Sequence, residues 1–166
     1  MDPRFITPFI GSIQNVFSTM LQMPVTVLEP KIKEGTTATY DVSGIITMSG
    51  DVTGTIVLSF PADTAERLVT LFVGMEIATD SPDFADAIGE LVNMVSGNAK
   101  ASFEGMAVGI SCPSVIVGQH HAVSTSTDTP CVVVPCETDC GELAIEIAIR
   151  ETSAGGAADG TTTQAA

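Results

Sequence analysis

Residues 81–100 read SPDFADAIGELVNMVSGNAK, and this stretch decides how the rest of the chain folds around it. Its first residues combine three signals that start a helix: Ser81 suits the N-cap, Pro82 suits the first turn, and the Asp83 carboxylate faces the positive end of the helix dipole. The apolar spacing then continues to about Glu104. The pattern predicts a helix of about 23 residues, or about 34 Å, which needs a broad apolar surface to pack on.

The predicted helix has two different faces. At about 100° per residue, one face collects small and large apolar side chains: Phe84, Ile88, Leu91, Val92, Val95 and Ala99. The opposite face, called the polar stripe below, collects Asp86, Glu90, Asn93, Gly97 and Lys100. Simple exposure to solvent explains most polar helix faces, but Asn is a mediocre helix former and a mid-helix Gly costs roughly 1 kcal/mol relative to Ala. We therefore expect another protein surface to approach this stripe.

The rest of the chain predicts two further helices and several strands. Amphipathic spacing indicates a helix over residues 5–21, and a short helix opens after Pro61 and ends at Gly74. Two segments rich in Val, Ile and Thr, 39–47 and 55–60, are separated by turn residues and predict an antiparallel hairpin.

Later strands are predicted at 108–110, 115–117, 132–134 and 143–149. In the last of these, apolar and small or charged residues alternate strictly. The pattern predicts an α+β domain of two layers over residues 1–150, with about three helices on a largely antiparallel sheet. Residues 151–166 have no period and are expected to form a disordered tail.

Composition excludes several function classes. The chain has 166 residues, 45% of them apolar, and its 20 Asp and Glu against 6 Lys and Arg give a net charge of −14. Such a surface repels nucleic acid and anionic lipid, because binding either one needs clustered cations. No apolar run reaches the roughly 18 residues of a membrane span, and the N-terminus does not read as a signal peptide. We expect a cytoplasmic protein without nucleic-acid or membrane partners.

The four cysteines allow a metal site but do not favour one. Cys131, Cys136 and Cys140 could ligate zinc together with His120 or His121, although their gaps do not match paired CxxC spacing. We expect them instead to be reduced thiols that fill the core. We expect no metal ligands in this chain.

The polar stripe lies within a run that resembles a known family. Residues 89–100, GELVNMVSGNAK, look like the signature helix of the CheC/CheX/FliY family of bacterial chemotaxis phosphatases, whose core pattern is glutamate, two residues, asparagine, and then a Gly-Asn-Ala run. Residues 113–118 (PSVIVG) and 7–10 (TPFI) resemble segments of the single-domain CheX branch. The likeness covers about residues 5–150.

Two departures from the family pattern indicate which branch of the family the chain resembles. CheC proteins carry a second glutamate–asparagine pair on the first helix, where this chain reads Ser12-Ile13-Gln14-Asn15 without the glutamate. The chain also carries no long flagellar-switch domain of the FliY type. The resemblance therefore favours CheX, with one site.

The resemblance implies an enzyme that hydrolyses the aspartyl phosphate of a CheY-like response regulator. Glu90 and Asn93 would be its catalytic residues: Asn93 would orient the attacking water, and Glu90 would pair with a lysine of the receiver domain. Asp86, Glu90, Gly97 and Lys100 would form the partner-binding face. Lys100 also suits the negative helix end and is given no catalytic role.

The same resemblance implies that the receiver supplies Mg²⁺, so that this chain has no cofactor of its own. It also implies a homodimer joined through sheet edges, and the regular strand 143–149 is predicted to be such an edge.

Two other functions stay open at this point. A non-catalytic module of the same fold would bind a receiver or a flagellar-switch component without shortening the phosphate lifetime. A metal-binding domain built on the C-terminal Cys and His residues would show bound metal on elemental analysis.

Overall fold

The computed structural model describes residues 2–125 and 128–153. They form three helices and eight strands in the order α1 (Pro3–Met20), β1 (Thr26–Val27), β2 (Lys31–Ile32), β3 (Val42–Gly50), β4 (Val52–Phe60), α2 (Ala62–Val73), α3 (Pro82–Lys100), β5 (Val108–Ile110), β6 (Ser114–Val117), β7 (Val132–Thr138) and β8 (Gly141–Glu151). The predicted α+β class, with three helices packed on an antiparallel sheet, is confirmed.

The helices begin and end where local chemistry directs them. The Ser81 side chain accepts a hydrogen bond from the backbone N–H of Asp83 at 3.2 Å, as an N-cap should. Gly74 ends α2 with φ 85°, a left-handed conformation that costs glycine little. Helix α1 starts earlier than its pattern suggests, at Pro3, because the Asp2 carboxylate caps it and accepts from the backbone N–H of Arg4 at 2.9 Å.

Helix α3 ends at Lys100, before the predicted Glu104. The chain turns there so that Phe103 can be buried against α1. Its ring centroid lies 6.2 Å from those of both Phe5 and Phe9. Burial of an aromatic ring stabilises the fold by more than another helical turn in solvent would, so tertiary packing sets this boundary.

The sheet runs in the order β1-β7-β8-β4-β3-β5, with β2 also on β7 and β6 also on β3. Every pairing between these strands is antiparallel. The predicted hairpin is present as β3 and β4, which are joined at Asp51. The short strands β1 and β2 lie along one edge, and β5 and β6 lie along the other.

The prediction that 143–149 is an edge strand is wrong. The segment lies within β8, which pairs with β7 on one side and with β4 on the other. It is also buried on both faces rather than half-buried, since every residue from Leu143 to Ile149 is buried. A strand with both edges paired offers no free backbone groups to a second copy of the chain.

The two faces of the sheet are covered differently. Helix α3 lies directly on β3, where a Cβ added at Gly44 would stand 2.2 Å from Val92 Cγ2. Helix α1 packs against α3, and the Ser12 hydroxyl donates to the Val95 carbonyl at 2.5 Å. The opposite face is covered by loop segments, from which Thr39 Oγ1 donates to the Glu146 carboxylate at 2.6 Å.

The described domain extends slightly beyond the predicted boundary at residue 150. Strand β8 includes Glu151, and Thr152 donates to the Asp51 carbonyl at 2.8 Å and, through Oγ1, to the Gly50 carbonyl at 2.7 Å. Residues 154–166, the rest of the predicted tail, lie outside the described residues.

Within the described ranges, no helix has the length and apolar character required to cross a membrane.

Candidate active site

Helix α3 is held rigidly on both of its packed sides. Gly44 allows Val92 to sit against β3, and Gly89 lets the helix approach the segment at the start of β6. A Cβ at Gly89 would lie 3.3 Å from Pro113 Cγ and 3.5 Å from Val115 Cγ2. Because protein interiors are close-packed, a helix fixed by two such contacts presents its remaining face in one defined position.

The structure brings all the residues of the polar stripe together on that remaining face. Asp86, Glu90 and Lys100 are exposed, whereas Asn93 and Gly97 are half-buried. On the opposite side of the helix, Leu91, Val92 and Val95 are buried. From Asp86 to Lys100 the stripe spans about 21 Å.

Glu90 and Asn93 are neighbours on this stripe and have no partner within the described chain. They are one helical turn apart, which places their Cβ atoms about 5–6 Å from each other. Neither side chain forms a hydrogen bond or an ion pair with any described residue, whereas the Ser81 side chain at the start of the same helix and the Asp63 carboxylate on α2 do. The pair thus combines a carboxylate with a carboxamide, and both are available to an external group.

The intramolecular packing gives no reason for a glycine at residue 97. A Cβ added there would meet no other atom within 4 Å. An alanine would therefore fit and would favour the helix by roughly 1 kcal/mol. Gly44 and Gly89, by contrast, each make room for a neighbour in the same chain.

A groove beside the pair was not predicted from the sequence. Ala85, Asp86, Gly89 and Glu90 of α3 face Pro113 and Val115 across a hollow of about 400 Å³. The sequence feature that could have predicted this groove is Gly89. A glycine inside a helix, next to Glu90, indicates that another segment passes close to the helix there.

The first helix does not present an equivalent acid–amide pair. Ser12 occupies the position of the missing glutamate, and it is buried and bonded to the Val95 carbonyl. Asn15, one turn later, is exposed. An acid at residue 12 would be buried against α3, so the geometry matches a single pair, on α3.

The residues considered for a metal site lie in different environments. Cys131, Cys136 and Cys140 are buried, and burial raises the pKa of each thiol, to about 11 for Cys131 and for Cys136. Among the described residues, no group of three or more His, Cys, Asp and Glu side chains converges as a metal-binding set.

The two histidines also differ from each other. His120 is exposed. His121 is half-buried, with Nδ1 2.8 Å from the Gly118 carbonyl oxygen and Nε2 2.7 Å from Ser43 Oγ. Since Ser43 is fully buried, this pair ties a loop to the sheet rather than facing a substrate.

Comparison with known proteins agrees with this geometry. Residues 42–137 match the family model described as chemotaxis phosphatase CheX. The CheY-P phosphatase CheX of Thermotoga maritima is 28% identical over 122 residues, which cover 72% of this chain and 79% of that protein.

Solved structures extend the likeness over most of the fold. A chemotaxis protein CheX from Desulfovibrio desulfuricans has a TM-score of 0.80 and 32% identity, covering 89% of this chain and 99% of the other. The CheX of the CheX-CheY-BeF3-Mg complex from Borrelia burgdorferi has a TM-score of 0.75 and 24% identity, covering 89% and 98%, and establishes the shared fold. With more than half of its length matched by the family model, the chain belongs to the CheX family of chemotaxis phosphatases.

Proposed function

We propose that this protein is a phosphatase that hydrolyses the aspartyl phosphate of a phosphorylated CheY-like response regulator. Membership of the CheX family supports the activity, and the name of the Thermotoga relative, a CheY-P phosphatase, supports the substrate. The single observation that carries the mechanism is the unpartnered Glu90–Asn93 pair on a rigidly held helix.

The reaction needs a water molecule in line with the bond that breaks. Water attacks the phosphorus, the bond from phosphorus to the aspartate oxygen breaks, and the products are a free carboxylate and dihydrogen phosphate, which keeps both protons of the water. An acyl phosphate is already reactive, so positioning supplies most of the catalysis. The Asn93 carboxamide suits this role because it can both donate to and accept from a water molecule and carries no charge to repel phosphate.

Glu90 acts by docking rather than as a general base. A carboxylate directed at a phosphoryl group would be repelled by it, but a lysine of the receiver would neutralise it and draw the two proteins into register. The geometry allows both roles at once, since one turn of helix separates the two side chains. The receiver supplies the Mg²⁺ that neutralises charge on its own phosphoryl group.

The remaining stripe residues complete the partner-binding face. Asp86 extends the anionic end of the stripe, Gly97 leaves room for the receiver backbone, and Lys100 places a cation at the other end. Like its receiver partner, the protein acts in the cytoplasm.

A homodimer joined through a sheet edge belongs to the same proposal. With β8 internal, the free edges are the short strands β1 and β2 on one side and β5 and β6 on the other. Light scattering measures the mass in solution, and a monomeric mass at micromolar concentration would exclude the homodimer.

Replacement of Asn93 by Ala tests the mechanism. Asn93→Ala should lower the turnover of excess phosphorylated receiver by about 10²–10³-fold, the usual cost of a lost positioning or polar group, with binding of the receiver largely kept. Phosphate release gives the rate. Asn98→Ala is the matched control, because Asn98 is an exposed asparagine on the same helix outside the stripe.

Near-normal turnover in Asn93→Ala would remove this residue from the mechanism. Tight binding of phosphorylated receiver by the wild-type protein, with no shortening of the phosphate lifetime, would instead identify a non-catalytic receiver-binding module.

A further inference from the structure

The hollow beside Glu90 continues past the N-terminal end of α3. A second hollow of about 420 Å³ is lined by Asp80, Pro82, Ala85, Val115 and Val117, and it shares Ala85 and Val115 with the first. Together they form one trough, called the edge trough here, between α3 and β6. Each half lies within the roughly 300–1,000 Å³ typical of ligand sites, so a partner side chain can enter.

The floor of the edge trough is apolar and partly open. Val117 is 42% exposed, and Val115 is half-buried against the core. Among the strands that the structure describes, β6 pairs only with β3, so its other edge has no strand beside it. An exposed valine at a strand edge next to a hollow is a place where an apolar side chain gains from burial.

The rim of the edge trough is anionic. Asp80, Asp86 and Glu90 line it, all three are exposed, and none is paired with a cation among the described residues. The basic residue of the stripe, Lys100, lies about 15 Å beyond Glu90 along the helix axis. Charge along α3 is therefore polarised, with acids at its N-terminal half, the neutral Asn93 and Gly97 next, and a cation at its end.

This polarity sets the direction in which a partner can dock. A phosphorylated aspartate is anionic and fits at Asn93, on the C-terminal side of the acids, while basic groups on the same partner fit along the rim. We infer that the edge trough is a second docking contact for the phosphorylated receiver, which inserts an apolar side chain flanked by Lys or Arg. The inference rests on the proposed function for the identity of the partner, and it extends the docking surface from the polar stripe to Asp80, Val115 and Val117.

Val117→Lys tests the inference, because it removes the apolar contact and repels cations. The probe is the CheY-like receiver carrying beryllofluoride, a phosphoryl mimic, with binding measured by calorimetry. We expect the Kd to rise about tenfold, as for a central contact residue, and the KM for dephosphorylation to rise similarly while kcat stays within about twofold. The matched control is Ile32→Lys, an exposed apolar residue on β2 at the opposite edge of the sheet, where neither constant should change.

Asp80→Asn provides an independent variant that leaves the apolar floor intact. It should raise the Kd about threefold at low salt and by less at high salt, since the contact is electrostatic. An exposed acid on β7, changed in Glu137→Gln, controls for net charge.

The outcomes separate the two proposals. Unchanged Kd and KM in Val117→Lys would overturn the edge trough, as would a change accompanied by a lower mass in light scattering, which would identify the trough as an interface between two copies of this chain. If the wild-type protein binds the receiver but does not hydrolyse its phosphate, while Val117→Lys weakens that binding, the proposed activity fails and the edge trough stands.

Discussion

Glu90 and Glu146 lie on opposite sides of the same sheet and have opposite surroundings. Glu146 is only 1% exposed, pairs with Lys33 and accepts from both the backbone N–H and the hydroxyl of Thr39. Glu90 is exposed and has no partner in the described chain. A carboxylate whose bonds are all satisfied internally holds loops onto the sheet, whereas one left open is available to another molecule.

The register of the strands explains the burial of Glu146. Gly44, Leu58 and Ile145 are cross-strand neighbours and share the helix-covered face, so Glu146, next along β8, points to the other face between Val57 and Val133. Loop residues must cover it there. The comparison predicts that substitutions on the loop-covered face change stability, and that those on the polar stripe change activity.

Removal of the buried cation should have the largest effect. Lys33→Met leaves the Glu146 carboxylate buried without its counter-ion, and we expect the free energy of unfolding to fall by about 3–5 kcal/mol in urea titrations. Lys31→Met, an exposed lysine on the same short strand region, is the control and should stay within about 0.5 kcal/mol.

The double variant Lys33→Met/Glu146→Leu should recover much of that loss, because no buried charge remains unpaired. A Lys33→Met protein as stable as wild type would show that the ion pair contributes no stability. The loop-covered face and the polar stripe would then not differ in their effect on stability.

Loss of the exposed glutamate should have a smaller effect, confined to docking. Glu90→Ala should raise the half-saturation concentration for phosphorylated receiver about tenfold, because a charge contact to the partner is lost while Asn93 still orients the water. The free energy of unfolding should not change, since the Glu90 side chain has no partner among the described residues that would lose a bond. Glu34→Ala changes an exposed acid in the loop after β2, has the same change in charge, and should leave that concentration as it is.

An unchanged half-saturation value in Glu90→Ala would contradict the docking role. A large drop in maximal rate at saturating receiver would mean that Glu90 acts in the chemical step instead.

The smallest expected effect is at Gly97. Gly97→Ala should raise the free energy of unfolding by about 1 kcal/mol, because the open position accepts a methyl group and Ala favours the helix. The same change should weaken receiver binding if the partner backbone packs there. A more stable variant with unaltered receiver binding would show that Gly97 is not needed to make room for the partner.

Much of the fold follows from local sequence patterns. Ser81, Pro82 and Asp83 predict the start of α3, and Gly74 predicts the end of α2, because caps depend on a few neighbouring groups. The alternation in 143–149 predicts a strand but not its place in the sheet, since an internal strand and an edge strand have the same period of two.

One part of the candidate site could likewise be predicted from the sequence, and another part could not. The helical period places Glu90, Asn93 and Gly97 on one stripe, because side-chain direction along a helix depends only on residue spacing. The groove wall formed by Pro113 and Val115 needed the tertiary structure, since those residues lie more than 20 positions along the chain from Glu90.

The sequence by itself determined the helices, the hairpin and the stripe on α3, all of which depend on contacts between residues close along the chain. The tertiary structure decided which strand is internal, where α3 ends, that Glu146 is buried and that a trough borders the stripe. These features depend on which distant segments pack together, and that choice is made by burial of the whole core rather than by any local pattern.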